Sequence, residues 1–112
     1  MNIEIRTNDP LLFQELKAAA EEPSSHLPEN MLIGNPIKES PRLHAFPSPE
    51  VISFAITIGT SLATGVLSAW IFEKFKGRVN KVKIDGKEIK LSIEEINNAI
   101  KQYVTQSQLI ED

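Results

Sequence analysis

The chain has 112 residues, a formal net charge of −3 and 24% charged residues, which is the size and balance of one ordinary domain. This balance favours neither general disorder nor binding to nucleic acid. The chain has no cysteine, which excludes disulfides, thiolate chemistry and cysteine-based zinc sites. The first residues lack the basic start and apolar run of a signal peptide. We therefore expect a single cytoplasmic domain over residues 1–112.

The N-terminal segment has the pattern of a strand followed by a helix. Ile3 and Ile5 alternate with polar residues, which is the period of a half-buried strand. Asp9 suits a helix N-cap, and Pro10 suits the first helical position. Apolar residues at helical spacing predict that the helix continues to about residue 22, where Pro23 ends it.

A proline-rich loop is expected over residues 23–49, which contain six of the seven prolines. Two short apolar pieces, Met31–Ile33 and residues 43–46, have the composition of a strand. We interpret the loop as a partly ordered excursion that carries one short strand. Both histidines, His26 and His44, lie in this loop without metal-ligand spacing, so they are expected to be exposed to solvent.

The following segment, about residues 50–76, is predicted to form one long helix that ends at Gly77. Residues 51–72 are 22 positions without a charge, which meets the length criterion for a membrane span. Trp70 near the end and the basic residues beyond it fit an interfacial anchor with a cytoplasmic C-terminal side. The strands predicted on either side, however, need an apolar helix to cover them, which favours a helix inside a compact domain.

In a helical projection, the hydroxyl side chains of this segment share one face. At about 100° per residue they fall within an arc of roughly 100°, and the opposite side is apolar. A face without charge resembles the centre of a protein interface. In a membrane it would instead line a helix–helix contact or a pore. The candidate interface residues are Ser53, Thr57, Thr60, Ser61, Thr64 and Ser68.

Basic residues cluster after the predicted long helix. Residues 74–90 contain seven basic and two acidic side chains, whereas residues 1–50 contain four basic and eight acidic ones. Such a cluster has two interpretations: contact with anionic lipid or nucleic acid, or the solvated face of a hairpin. The cluster consists of Lys74, Lys76, Arg78, Lys81 and Lys83.

Asp85-Gly86 between two alternating apolar runs predicts a β-hairpin, because a type I′ turn needs positive φ at both central residues. A two-residue turn places Lys83 opposite Glu88. The following Ser-Ile-Glu-Glu sequence at residues 92–95 is a capping box that begins a final helix.

These elements follow the order β-α-(β)-α-β-β-α. Helices packed on one side of a small, mostly antiparallel sheet would bury every apolar face. The sequence therefore predicts an α+β fold, a small two-layer sandwich with a long central helix.

No catalytic motif is present in the sequence. The glycines form no phosphate-binding pattern, and no serine lies in a nucleophile elbow. The adjacent glutamates of each predicted helix point in different directions, so they do not form an acid–base pair. We expect a protein that is not an enzyme, without a cofactor or a metal.

One family resemblance adds a functional expectation. From Leu67 to Leu91 the chain has a tryptophan near a helix end, then basic residues, then the sequence V-x-I-D-G-x-x-I-x-L. Together with the overall layout, this segment resembles the effector-associated constant component family, small bacterial proteins of conflict and defence systems. The resemblance implies a non-catalytic adaptor or regulatory module that contacts a protein effector, for example a protease. Self-association is the other partner expected, and it follows from the uncharged hydroxyl face.

The alternative function is a single-span membrane protein, such as a small toxin or a pore-forming subunit. Residues 51–72 would then cross the inner membrane and the C-terminus would lie in the cytoplasm.

Overall fold

The structure is a computed structural model that describes residues 1–39, 50–58 and 64–110, with side chains to residue 105. Within these ranges the chain forms six strands and four helices. In chain order they are β1 (Asn2–Thr7), α1 (Leu12–Glu21), α2 (Pro23–His26), β2 (Met31–Ile33), β3 (Ile37–Glu39), β4 (Glu50–Ile58), α3 (Thr64–Phe75), β5 (Val79–Ile84), β6 (Lys87–Ile89) and α4 (Ile93–Ile110).

The strands form one antiparallel sheet in the order β2-β4-β1-β5-β6. Strand β3 also pairs with β4, on the same edge as β2. Between β2 and β3, three residues stand opposite two residues of β4, which is a β-bulge. There the Gly34 N–H donates to the Ala55 carbonyl oxygen at 2.9 Å. Both edges of the sheet are therefore short strands of three residues, a common means of limiting edge-to-edge pairing.

The core lies between one face of the sheet and the helices. Alternate residues of each long strand point into it, and they meet apolar residues of α1, α3 and α4. The rings of Phe54 in β4 and Phe75 in α3 meet edge to face, with centroids 6.2 Å apart. The fully buried apolar residues of the helices are Leu12, Leu16, Ala19, Leu67, Ile71, Phe75, Ile96 and Ile100. The predicted two-layer α+β fold is confirmed.

The prediction of one helix over residues 50–76 is wrong for its first part, which is strand β4. Ile52 and Ile56 are four positions apart, a spacing that lies on one face of both a helix and a strand. Phe54 separates the two, because in a strand it shares their face and in a helix it points away. Phe54 is only 4% exposed, alongside the buried Ile52 and Ile56. The strand also supplies a pairing partner along the whole length of β1.

The second part of the predicted long helix is present as α3. It ends at Phe75, and Gly77 follows with a φ of 71°, the left-handed conformation of a helix C-terminus. Residues 51–72 therefore do not form a single helix.

In the proline-rich loop, the first of the two pieces with strand composition, Met31–Ile33, is present as β2, whereas β3 and the short helix α2 were not predicted. Residues 43–46 and His44 lie outside the described residues. The observed order thus inserts α2 and β3, and replaces part of the expected long helix with β4.

The predicted hairpin is confirmed in register and turn. Asp85 and Gly86 have φ values of 51° and 82°, and Lys83 pairs with Glu88. The capping box is present in part: the Glu95 N–H donates to Ser92 Oγ at 3.2 Å. The Glu95 carboxylate accepts from the backbone N–H of Lys90 at 2.6 Å rather than from that of Ser92.

Candidate protein-contact surface

The sheet has a second face, which points away from the helices and which no described element covers. We call it the open face. Its side chains are the ones that alternate with the buried residues of each strand. Leu32 of β2, which pairs with Thr57, is 53% exposed, and Ile37 of β3, which pairs with Ser53, is 64% exposed. Two large apolar side chains are therefore exposed to solvent on the two short strands that share one edge of β4.

Charge divides the open face into two parts. Among the described residues, the part formed by β2, β3 and β4 carries six uncharged side chains, one of which, Val51, pairs with the charged Glu39 at the end of the face. We call the other five the uncharged patch: Leu32, Ile37, Ser53, Ala55 and Thr57. The part formed by β1, β5 and β6 carries Glu4, Arg6, Lys81, Lys83 and Glu88. Depletion of charge is a compositional mark of an interface centre.

A shallow cavity of about 440 Å³ lies where the two parts meet. Gly34 and Ala55 contribute little or no side chain to its lining, while Ile37 and Lys83 also border it. A second cavity, of about 700 Å³, adjoins the uncharged patch and is lined mainly by apolar residues, including Leu27 and Pro28. The open face is thus uneven, with a hollow next to a projecting isoleucine.

The six candidate interface residues do not form the predicted stripe. Ser53 and Thr57 lie on the open face in β4, whereas Thr60 and Ser61 lie outside the described residues. Thr64 is the first residue of α3, and Ser68 is fully buried. The Ser68 hydroxyl donates to the Thr64 carbonyl oxygen at 2.9 Å and contacts Asn97 Oδ1 of α4 at 3.1 Å. The predicted stripe does not form because Ser53 and Thr57 belong to β4, whereas Thr64 and Ser68 belong to α3.

The basic cluster is largely neutralised by carboxylates. Arg78 Nε donates to Asp9 Oδ2 at 2.6 Å, and the two terminal nitrogens of Arg78 donate to the two carboxylate oxygens of Glu15. Lys74 Nζ lies 3.2 Å from Glu15 Oε1. These four side chains join the start of α1 to the turn between α3 and β5, and the Thr7 hydroxyl adds a bond to the Arg78 carbonyl oxygen at 2.5 Å.

The remaining members of the basic cluster are also engaged. Lys83 Nζ lies 3.8 Å from Glu4, and Lys81 Nζ lies 3.7 Å from Glu88. Lys76 Nζ lies 5.5 Å from the centroid of the Phe72 ring. These contacts support the interpretation of a solvated hairpin face rather than an anion-binding surface.

The ion pairs shift the ionisation of their members. Hydrogen bonds from Arg78 lower the pKa values of Asp9 and Glu15 below their ordinary values, and burial opposes this only in part. The same bonds raise the pKa of Arg78. A carboxylate with a lowered pKa stabilises the folded state above its unfolded pKa, and this contribution is lost as the pH falls.

No metal-binding constellation occurs among residues 1–39, 50–58 and 64–105. No three His, Asp or Glu side chains in these ranges come together as metal ligands. His26 lies exposed in α2. None of the described helices combines the length and the apolar character needed to cross a bilayer.

Comparison with known proteins adds no relative: no family model, no curated protein and no solved structure matches this chain.

Sequence reasoning missed Leu32, Ile37 and Ala55 as members of the exposed surface. For Ala55 the available signal was the alternation Ile52, Phe54 and Ile56, which places the residues between them on the opposite face. Leu32 and Ile37 join this face only through the pairing of β2 and β3 with β4.

Proposed function

We propose that this chain is a non-catalytic interaction module, which contacts another protein through the open face of its sheet. The observation that carries the proposal is the uncharged patch on a sheet face that no described element covers. Antiparallel sheets often leave one face in water, but such a face is then usually polar along its whole length. Here Leu32 and Ile37 are 53% and 64% exposed, with no charge among the five patch residues.

The biological setting of the proposal comes from the family resemblance. A member of the effector-associated constant component family would act in the cytoplasm of a bacterium as an adaptor or regulator of an effector, for example a protease. The partner surface would carry apolar side chains opposite the uncharged patch, because burying Leu32 and Ile37 provides the driving force.

The proposal is tested by binding to the product of a neighbouring gene that encodes a candidate effector. The variant Ala55→Arg places a charge in the middle of the uncharged patch, on an exposed position of β4. The matched control is Gln102→Arg, which adds the same charge at an exposed position of α4.

The expected result is that Ala55→Arg weakens effector binding at least tenfold in a calorimetric titration, while Gln102→Arg binds like the wild type. Circular dichroism checks that both variants remain folded. Equal binding by both variants would show that the open face does not contact the effector.

A further inference from the structure

We infer that the Asp85-Gly86 turn is a site of spontaneous isoaspartate formation, which the folded chain suppresses by holding Asp85 to Asn2 of β1. The two reacting residues lie at the tip of the β5–β6 hairpin, and both are exposed to solvent. The reaction modifies the chain without an enzyme, and water is the only other reactant. The site is separate from the uncharged patch and independent of the proposed effector contact.

The reaction is an attack by the backbone nitrogen of Gly86 on Cγ of Asp85, whose side-chain carboxyl group reacts in its protonated form. A C–N bond forms and a C–O bond breaks, and the proton of the nitrogen leaves with the carboxyl hydroxyl as water. The product is a cyclic succinimide, which water then opens. Attack at the side-chain carbonyl restores aspartate, whereas attack at the backbone carbonyl gives isoaspartate. Nothing is oxidised or reduced, and the composition of the chain is unchanged.

Glycine at position 86 makes this peptide bond reactive. Because glycine has no Cβ, no side chain of its own hinders the approach of its nitrogen to the carboxyl carbon. The hairpin needs the same residue for a different reason, since Gly86 has a φ of 82° in the turn. The turn chemistry that sets the hairpin therefore also supplies the reactive pair.

The folded turn holds the reacting groups apart in two ways. A type I′ turn sets ψ of its first central residue near about +30°, which points the following nitrogen away from Cβ of Asp85. The Asn2 N–H also donates to Asp85 Oδ1 at 2.8 Å, while the Asp85 N–H donates to the Asn2 carbonyl oxygen at 2.8 Å. These two bonds extend the β1–β5 ladder by one rung beyond Ile3 and Ile84. Ring closure therefore requires the hairpin to open and the carboxyl group to leave Asn2.

Isoaspartate at position 85 changes the length of the turn, because the backbone then runs through Cγ and gains a methylene group. The register of a hairpin depends on the length of its turn, so the pairs Ile84–Lys87 and Val82–Ile89 are lost. Strand β6 is only three residues long and has no pairs besides those with β5. Its loss leaves the outer edge of the six-residue strand β5 unpaired, and such edges favour aggregation.

The first experiment compares the folded and the unfolded wild-type chain. Both are kept for weeks in the same mildly acidic buffer, one of them in guanidinium chloride. Trypsin then cleaves after Lys83 and Lys87, and chromatography against synthetic aspartate and isoaspartate peptides of residues 84–87 measures the modification. Isoaspartate is expected to form at least about tenfold more slowly in the folded chain, because it requires local opening. Equal rates would overturn the suppression, and no isoaspartate in the unfolded chain would overturn the site.

The second experiment tests the hydrogen bond from Asn2. Asn2→Pro removes the backbone N–H that donates to Asp85, whereas Asn2→Ala keeps this N–H and removes only the side chain. In buffer, Asn2→Pro should form isoaspartate about fivefold faster than the wild type, since one restraining bond is lost. Asn2→Ala should match the wild type, and all three chains should react equally in guanidinium chloride. Equal rates for folded Asn2→Pro and the wild type would overturn the role of Asn2.

Circular dichroism checks that both variants are folded, and hydrogen exchange keeps the role of Asn2 testable if Asn2→Pro is not. In the wild type, protection of the Asp85 N–H reports how rarely its bond to Asn2 opens. The slowing of isoaspartate formation on folding should equal this protection within about threefold. A slowing far below the protection would show that Asp85 reacts without leaving Asn2, and it would overturn the inference.

Discussion

Replacing Phe54 with alanine tests the assignment of residues 50–58 to a strand whose even positions face the core. Phe54 is 4% exposed and packs edge to face on Phe75, with centroids 6.2 Å apart. Truncation of a buried phenylalanine costs about 3–5 kcal/mol, of which the ring pair accounts for roughly 0.5–1.5 kcal/mol. Because a domain of this size is stable by roughly 5–15 kcal/mol, the loss takes a large share of the total.

The assay is urea unfolding followed by far-UV circular dichroism, with the free energy of unfolding compared at an unchanged slope. Thr57→Ala is the matched control, since Thr57 is exposed on the same strand, and it should change stability by about 0.5 kcal/mol or less. A double-mutant cycle of Phe54→Leu and Phe75→Leu should give a coupling of about 1 kcal/mol. A loss below about 1 kcal/mol for Phe54→Ala would place Phe54 outside the core and refute the alternation on which the open face depends.

Three further predictions concern the ion pairs, the turn and the helix contact. Arg78→Met should lower the melting temperature more at pH 7 than at pH 2.5, because its two carboxylate partners have lowered pKa values and lose their stabilising contribution as the pH falls through those values. An equal loss at both pH values would contradict the pairing. Gly86→Ala should destabilise by about 1 kcal/mol because of its φ of 82°. Gly65→Ala, in α3 with open space around its Cβ position, should stabilise the fold by about 0.5 kcal/mol. If urea titrations showed that both alanine variants change the free energy of unfolding in the same direction, the backbone argument would be refuted. Ser68→Ala should cost about 1 kcal/mol through the lost contact with Asn97, and an unchanged unfolding midpoint would show that this contact does not stabilise the fold.

Local signals were sufficient for the hairpin and for the ends of several helices. The Asp85-Gly86 turn needs positive φ at both positions, a requirement that few residues meet. The register of the β5–β6 hairpin could therefore be predicted from these two residues, without knowledge of the rest of the sheet. Pro23 ends α1 and begins α2, and Gly77 follows the end of α3, because each restricts or frees the backbone at its own position.

Strand β4 could not be separated from a helix by spacing alone. Its apolar residues Ile52 and Ile56, and its hydroxyl residues Ser53 and Thr57, are both four positions apart, which suits either structure. The backbone hydrogen bonds to β1 decide between them, and those bonds join residues about fifty positions apart. A pattern of hydroxyls that looked like one helical stripe was therefore divided between a strand and a buried helix position.

The sequence alone thus shows that residues 51–72 carry no charge, but it does not determine which secondary structure they form. Their lack of charge led to the prediction of a contact surface, since charge depletion depends only on residue identity. Only the tertiary structure shows that the exposed residues of strand β4 share a sheet face with Leu32 and Ile37, and that Ser68 lies in the core. The reason is that a sheet face is assembled from strands distant in sequence, so its members become neighbours only through long-range pairing.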